Sequence, residues 1–331
     1  NFQENSTVSV RVARGLNGHL EGLLDETDWS GEFCFVQAAD TQFGLISRYI
    51  DKADPQPADS PTNRDADIAK EVHLTRRLVS EVNAISPAPR FLIVCGDMID
   101  AFPVAVRDEN GEQRREREQR RQRQLRAFAD CFRQLRSDVP LVCVCGNHDI
   151  GDAPTPESVG IYRQTWGDDY FEFWIGGCQM LVVNSQYYVN SSQVPEEKSA
   201  MTRWLMTRLS QSKPTHRILF MHVPPFLTDA HSDADSYFTL PKADRLPLLD
   251  ACLEAGVSAI FCGHYHRNAG GVYRDKLPVV VTSAVGAQIG NDRHGYRLVN
   301  VAKDAVRHSY VDLACEPVNL TNGADGCKAC Q

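Results

Sequence analysis

Five short apolar runs in this 331-residue chain each end in residues able to bind a metal ion or carry a proton. Phe33–Ala38 runs into Asp40-Thr41-Gln42, and Phe91–Cys95 into Gly96-Asp97. Leu141–Cys145 runs into Gly146-Asn147-His148-Asp149, Ile218–His222 closes on its own histidine, and Ser258–Cys262 runs into Gly263-His264-Tyr265-His266. Taken singly these are weak signals, because a Gly-Asp after a strand commonly makes a turn and a strand-end histidine is commonly structural. The His264/His266 pair says more, since alternate residues of an extended segment share a face. Together the runs supply carboxylates, imidazoles and amides, a set of O and N donors suited to Mn, Mg, Fe or Zn. One carboxylate shared by two ions would make a two-metal site. Such sites hold their ions roughly 3.5–4 Å apart and stabilise in-line displacement at phosphorus.

Groups scattered from Asp40 to His266 can meet only if the strands that carry them end at a common edge. In open α/β sheets ligands gather beyond the carboxyl ends of strands, and the spacing of apolar residues predicts such a frame. Asp67–Ile85 carries Ile68, Val72, Leu78, Val79 and Val82 at helical spacing, as does the stretch from Leu125 through Phe128 and Phe132 to Leu135. Thr155 or Pro156 opens a helix to Trp166, and residues 197–211 and 243–255 read as further helices. Tyr170–Ile175 and Gln179–Asn184 flank Gly176-Gly177, a hairpin signal. Val279–Thr282, Tyr296–Val301 and Ala305–Tyr310 read as late strands, and residues 51–66, with three prolines, as a loop. Residues 107–126 hold eight arginines among Glu and Gln, which predicts a long solvent-exposed helix laced with Glu–Arg pairs. Helices alternating with strands early and strands clustering late suggest two packed sheets with helices outside. The chain divides into an irregular lead-in (1–31), one α/β domain (32–313) and a polar tail (314–331).

Composition sets outer limits. A formal charge of -8, 42% apolar and 24% charged residues are ordinary globular values, excluding a disordered, collagenous or coiled-coil chain. The acidic balance argues against nucleic acid or an anionic membrane as partner, and no apolar stretch is long enough to span a bilayer. Cys34, Cys95, Cys143, Cys145 and Cys262 lie inside apolar runs and read as small buried hydrophobes, which favours a reducing, cytoplasmic setting. The first residue is Asn1 rather than Met, and Cys315, Cys327 and Cys330 fall in the polar tail, so a secreted, processed chain with glycans at Asn5, Asn190 and Asn319 is the alternative. Oligomeric state is not legible.

The order Asp-x-Gln, Gly-Asp, Gly-Asn-His-Asp, His, Gly-His-x-His resembles that of the calcineurin-like metallophosphoesterases, from about Phe33 to Tyr310. Gln37–Gly44, Gly146–Gly151, Thr165–Tyr170 and Gly263–Gly271 are similar to an animal branch of that superfamily described as serine/threonine-protein phosphatases. The resemblance implies a four-layer α/β/β/α sandwich with two mixed β-sheets. It also implies two divalent metal ions: Asp40, Gln42 and His266 would hold the first, Asn147, His222 and His264 the second, and Asp97 would bridge them. A hydroxide between the ions would attack phosphorus, with His148 as general acid and Asp149 orienting its ring. Two dications against two carboxylates and a hydroxide leave about +1, attractive to a phosphomonoester dianion. Gln42 stands where many members carry His. An amide oxygen is a harder and weaker donor than imidazole, so a looser first site favouring Mn or Mg is expected. Gly96-Asp97-Met98-Ile99-Asp100 lacks both the Tyr of purple acid phosphatases and the Asp-Arg-Gly continuation of the large protein serine/threonine phosphatases. The leading expectation is therefore a phosphomonoesterase acting on phosphoprotein. A phosphodiesterase or nucleotidase on a small phosphate ester, and a non-catalytic metal-binding scaffold, are the alternatives.

Overall fold

A computed structural model describes residues 26–50, 66–105, 109–211 and 213–313. The tail from residue 314, most of the lead-in, residues 51–65 and the acceptor positions Asn5 and Asn319 lie outside them.

Eleven strands form two mixed sheets among these residues: β1 (Phe33–Ala38), β2 (Leu92–Cys95), β3 (Leu141–Val144), β4 (Phe171–Ile175), β5 (Cys178–Val182), β6 (His216–Phe220), β7 (Val257–Cys262), β8 (Ala269–Tyr273), β9 (Leu277–Val281), β10 (Gly295–Val301) and β11 (Val306–Asp312). The helices are α1 (Ala69–Ala84), α2 (Gly111–Phe132), α3 (Asn147–Ile150), α4 (Pro156–Trp166), α5 (Gln186–Val189), α6 (Pro195–Leu209) and α7 (Lys242–Glu254). The first sheet runs β11-β10-β1-β2-β3 and the second β4-β5-β6-β7-β9-β8. Strands β1, β2 and β3 are mutually parallel, as are β5, β6, β7 and β9. Hence the two central strand sets deliver their carboxyl ends to one edge.

The layers follow from alternation along the strands. Phe35, Phe91, Ile93, Phe173, Phe220 and Phe261 face inward and form the core between the sheets. Phe35 stacks on Phe91 at 4.6 Å and meets Phe220 and Phe261 edge-on at 5.8 and 6.0 Å, geometry that aromatic quadrupoles favour. The intervening Val36, Ala38, Leu92 and Val94 face the other way and share a core with Leu78, Val79 and Val82 of α1 and Leu125 and Phe128 of α2. Buried Arg217 on β6 ties the second sheet to its helices by donating to the carbonyls of Leu209 and Ala255.

The Gly176-Gly177 turn has φ of 54° and 75°, the left-handed pair that a tight hairpin requires. The last strands do not finish a single sheet: β9 joins the second sheet while β10 and β11 return to the first. Strand β8 has no counterpart in the sequence reading, because Ala269-Gly270-Gly271 shows no apolar alternation. Gly270 is needed there, as an added Cβ would lie 2.0 Å from the Val279 carbonyl of the neighbouring strand. Helix α2 begins at the Asn110 cap rather than at residue 107. Its arginines are exposed near the N-terminus, but Arg121 is buried. Arg117 pairs with Glu109 and Arg123 with Asp67, both off the helix, while Asp130 and Arg133 pair along its last turn. Cys34, Cys95, Cys145 and Cys262 are buried and Cys143 is half-buried, and all are free thiols. No described helix is long and apolar enough to cross a membrane.

Candidate metal centre

Seven of the strand-end groups singled out from the sequence lie just beyond the carboxyl ends of their strands. Asp40 and Gln42 follow β1, Asp97 follows β2, Asn147 opens α3 after β3, His222 follows β6, and His264 and His266 follow β7. All seven are buried. Five of them, Asp40, Gln42, Asp97, His264 and His266, have φ between 32° and 70°, and among the described non-glycine residues only Arg274 and Asp275 share that region. Such backbone costs of order 1–3 kcal/mol per residue and gathers at functional sites. The glycines before the motifs allow the close approach. A Cβ on Gly96, itself at φ +87°, would lie 2.2 Å from His222 Nδ1, and one on Gly146 would lie 2.2 Å from Asp97 Oδ1.

Ligand atoms of Asp97, His222 and His264 lie within 4.8 Å of one another, and so do those of Asp40, Asp97 and His266. Asp97 is common to both sets.

The hydrogen bonds fix which ring nitrogen faces inward. A carbonyl can only accept. His222 Nδ1 therefore donates to the Cys95 carbonyl (2.8 Å), His266 Nδ1 to that of Ala287 (2.6 Å) and His264 Nε2 to that of Tyr237 (2.9 Å). The opposite nitrogens face the centre. His222 Nε2 stands 3.0 Å from Asn147 Oδ1, 3.1 Å from His264 Nδ1 and 3.4 Å from Asp97 Oδ2, and His266 Nε2 stands 3.4 Å from Asp40 Oδ1. Acceptor atoms thus converge on one another, an arrangement that a cation between them would satisfy. Outer partners of this kind typically orient metal-binding imidazoles. Gln42 Oε1 is buried without a hydrogen-bond partner, an orphan acceptor of the type a cation satisfies. The residues present therefore fit divalent metal.

Burial opposes charge on His222, yet Asp97 and Asp40 outweigh it and lift its pKa to about 9. Burial and the neighbouring His222 charge drive His264 down to about 3. Asp97 is held below the usual carboxylate range, despite burial, by His222, His148 and His264.

His148 does not join either set. Its backbone N–H donates to Asp97 Oδ1 (2.9 Å), while its ring stacks on Phe102 at 4.4 Å. Ring Nδ1 donates to the Asp100 carbonyl (2.7 Å) and lies 3.5 Å from Asp100 Oδ1. The expectation that Asp149 orients this ring is therefore corrected. The Asp149 carboxylate instead accepts from the backbone N–H groups of Asp97 (2.8 Å), Met98 (3.1 Å) and Gly146 (2.9 Å), because the turn of α3 points it beneath β2. Asp100, fully buried and paired to Arg48 at 3.2 Å, takes the position behind His148. It stands three residues after Asp97 in the same loop, and that proximity to Asp97 was the sequence signal available for it.

Other polar residues near the motifs have structural work. Asn268 Oδ1 accepts from Arg297 (2.8 Å), Arg267 bonds the Ile289 carbonyl, and Asn184 donates to buried Asp169 (3.1 Å), which also pairs with Arg163. One site neighbour had no sequence signal at all. Tyr237, from the loop between β6 and α7, reaches Asn147 with its hydroxyl (2.9 Å).

A calcineurin-like phosphoesterase family model matches residues 36–268. The chain is 42% identical over 294 residues to the mouse Serine/threonine-protein phosphatase CPPED1, covering 87% of this chain and 86% of that one. It is 41% identical over 292 residues to the zebrafish (Danio rerio) protein of the same name, covering 87% of each. Among solved structures, purple acid phosphatase PPD1 from yellow lupin superposes with a TM-score of 0.58 at 12% identity, over 86% of this chain and 52% of that one. PhoD superposes equally, 0.58 at 12% identity, over 85% of this chain and 66% of that one. At such identities these two speak for the fold alone.

Proposed function

We propose that this chain, which belongs to the calcineurin-like phosphoesterase family and is a hydrolytic metallophosphoesterase, is a dinuclear phosphomonoesterase acting on phosphoserine or phosphothreonine in proteins. The observation that carries the dinuclear reading is the sharing of Asp97 by two clusters of ligand atoms. Asp40, Gln42 and His266 would hold one divalent ion, Asn147, His222 and His264 the other, with Asp97 between them. Bound there, the ions supply Lewis-acid activation of water and neutralise charge building on the phosphoryl oxygens.

The chain's own residues do the rest. Asp149 holds the Asp97–Met98 backbone so that the shared carboxylate stays aimed inward. His148 Nδ1 is committed to Asp100, which leaves Nε2 to give a proton to the departing alkoxide. Asp100 keeps that tautomer and sets a negative charge behind the ring. Phe102 shields one face of the imidazole. A serine alkoxide is a poor leaving group, so a positioned acid fits a phosphoprotein substrate, and the protein phosphatase name of relatives at 41–42% identity supports that class. Gln42, the weaker donor, favours Mn or Mg at the first position.

The test is turnover of a phosphoserine peptide, para-nitrophenyl phosphate and its bis ester by the Mn-loaded chain. Monoester and phosphopeptide turnover supports the proposal. Preference for the diester makes the chain a phosphodiesterase, and turnover of none leaves a metal-binding scaffold.

A further inference from the structure

The loop between β6 and α7 lies outside every motif, yet it touches two residues of the centre from one side chain and its own backbone. The Tyr237 carbonyl accepts the Nε2 proton of His264 (2.9 Å), and the Tyr237 hydroxyl accepts from Asn147 Nδ2 (2.9 Å). The second proton of that amide goes to Asp152 Oδ1 (2.9 Å), on which the Tyr237 hydroxyl also closes at 3.5 Å. Both N–H groups of Asn147 are thereby used, and its oxygen is the end turned toward His222 Nε2. An amide rotated by half a turn would present N–H instead, and N–H repels a cation.

The loop that carries Tyr237 is itself fixed. Buried Arg245 of α7 donates to the carbonyls of Ala230 (2.9 Å) and Leu240 (3.1 Å) and to that of Asp233. Asp233 accepts from the backbone of Leu227 (2.7 Å) and Thr228 (2.9 Å). The Tyr237 ring packs 5.0 Å from His264 while more than half of the residue stays exposed. It therefore stands at the mouth of the site on a rigid support.

Building on the two-ion reading, we propose that Tyr237 and Asp152 are positioning residues that lock the Asn147 amide, oxygen inward, for the second metal ion, so that this loop sets the affinity of that ion and not of the first. Partners of metal ligands typically contribute 10–100-fold in affinity.

The experiment is calorimetric titration of the full chain with Mn(II) alone, in two backgrounds. In H266A, which keeps the Asn147 side, Y237F should weaken Mn(II) about tenfold, and Y237F/D152A by up to about a hundredfold. In N147A, which keeps the Asp40 side, the same changes should leave the isotherm unmoved. Y237F removes one hydroxyl from an exposed ring, and its unfolding midpoint in chelator should match the parent. Equal weakening in both backgrounds, or none in either, overturns the proposal. Failure of the unmutated chain to bind two Mn(II) overturns the two-ion reading beneath it as well. Two ions in the unmutated chain with no response to Y237F or D152A overturn this proposal alone.

Discussion

On the proposed mechanism, His148→Ala should separate proton donation from metal binding. The ring supplies no atom to either ligand cluster, and its residue reaches Asp97 only through a backbone N–H at 2.9 Å, which alanine keeps. Metal stoichiometry should therefore stay near that of the parent. What should be lost is the proposed acid. Its contribution is typically about 10²–10⁴-fold, or about 3–5 kcal/mol of barrier. The loss should depend on the leaving group. An alkyl or serine phosphate needs the proton and should show the full effect, whereas nitrophenolate leaves without help and should show far less. Asp100→Asn should fall between, about tenfold, because the carbonyl tether at 2.7 Å survives and the charge behind the ring does not. Asp149→Asn should behave differently, lowering metal content through the Asp97 backbone it supports. The assay is kcat on both ester classes beside metal analysis of each variant. Loss of metal in His148→Ala in proportion to activity, or equal loss on aryl and alkyl esters, would refute the assignment.

Gly96→Ala should abolish metal uptake and destabilise the fold by about 1–3 kcal/mol from its left-handed backbone alone, read by metal analysis and denaturant unfolding, since the new methyl would meet His222 Nδ1 at 2.2 Å. Gln42→His should tighten Mn(II) at the first position, measured in the N147A background, and Gln42→Ala should loosen it; equal isotherms would remove Gln42 from the ligand set. Glu71 offers a pH test. Burial raises its carboxyl pKa, although Gly44 and Ile46 donate to it. A raised carboxyl favours the folded state at low pH and loses that contribution as pH rises through its pKa. Glu71→Gln should accordingly raise the unfolding midpoint at neutral pH, with the gain vanishing in mild acid; a pH-independent difference would contradict the burial account.

The frame and the centre were largely legible in the sequence, because ligand motifs must follow strand ends and strand ends announce themselves as apolar runs. Phe33–Ala38 matches its strand residue for residue, and the remaining runs match within a few positions. What was not legible depends on packing across distance. Asp149 lies next to His148 in sequence, but one helical turn carries its carboxylate under β2, while Asp100, from a different loop, arrives behind the ring. Tyr237 stands ninety positions from Asn147 and carries no motif, so it meets Asn147 through the folding of its loop, which Arg245 and Asp233 anchor. The split of the last strands between sheets, β9 to the second and β10 to the first, likewise has no signature in either apolar run.

That return of β10 and β11 to the first sheet has a temporal consequence. Strand β1, which presents Asp40, borders β10 on one side and β2 on the other. During synthesis from the N-terminus, the opening strand must wait for almost the whole described chain before its flank is covered. His266, the last donor, has by then emerged. A chain ending before residue 295 would hold every proposed donor yet leave one edge of β1, the strand that presents Asp40, without its partner.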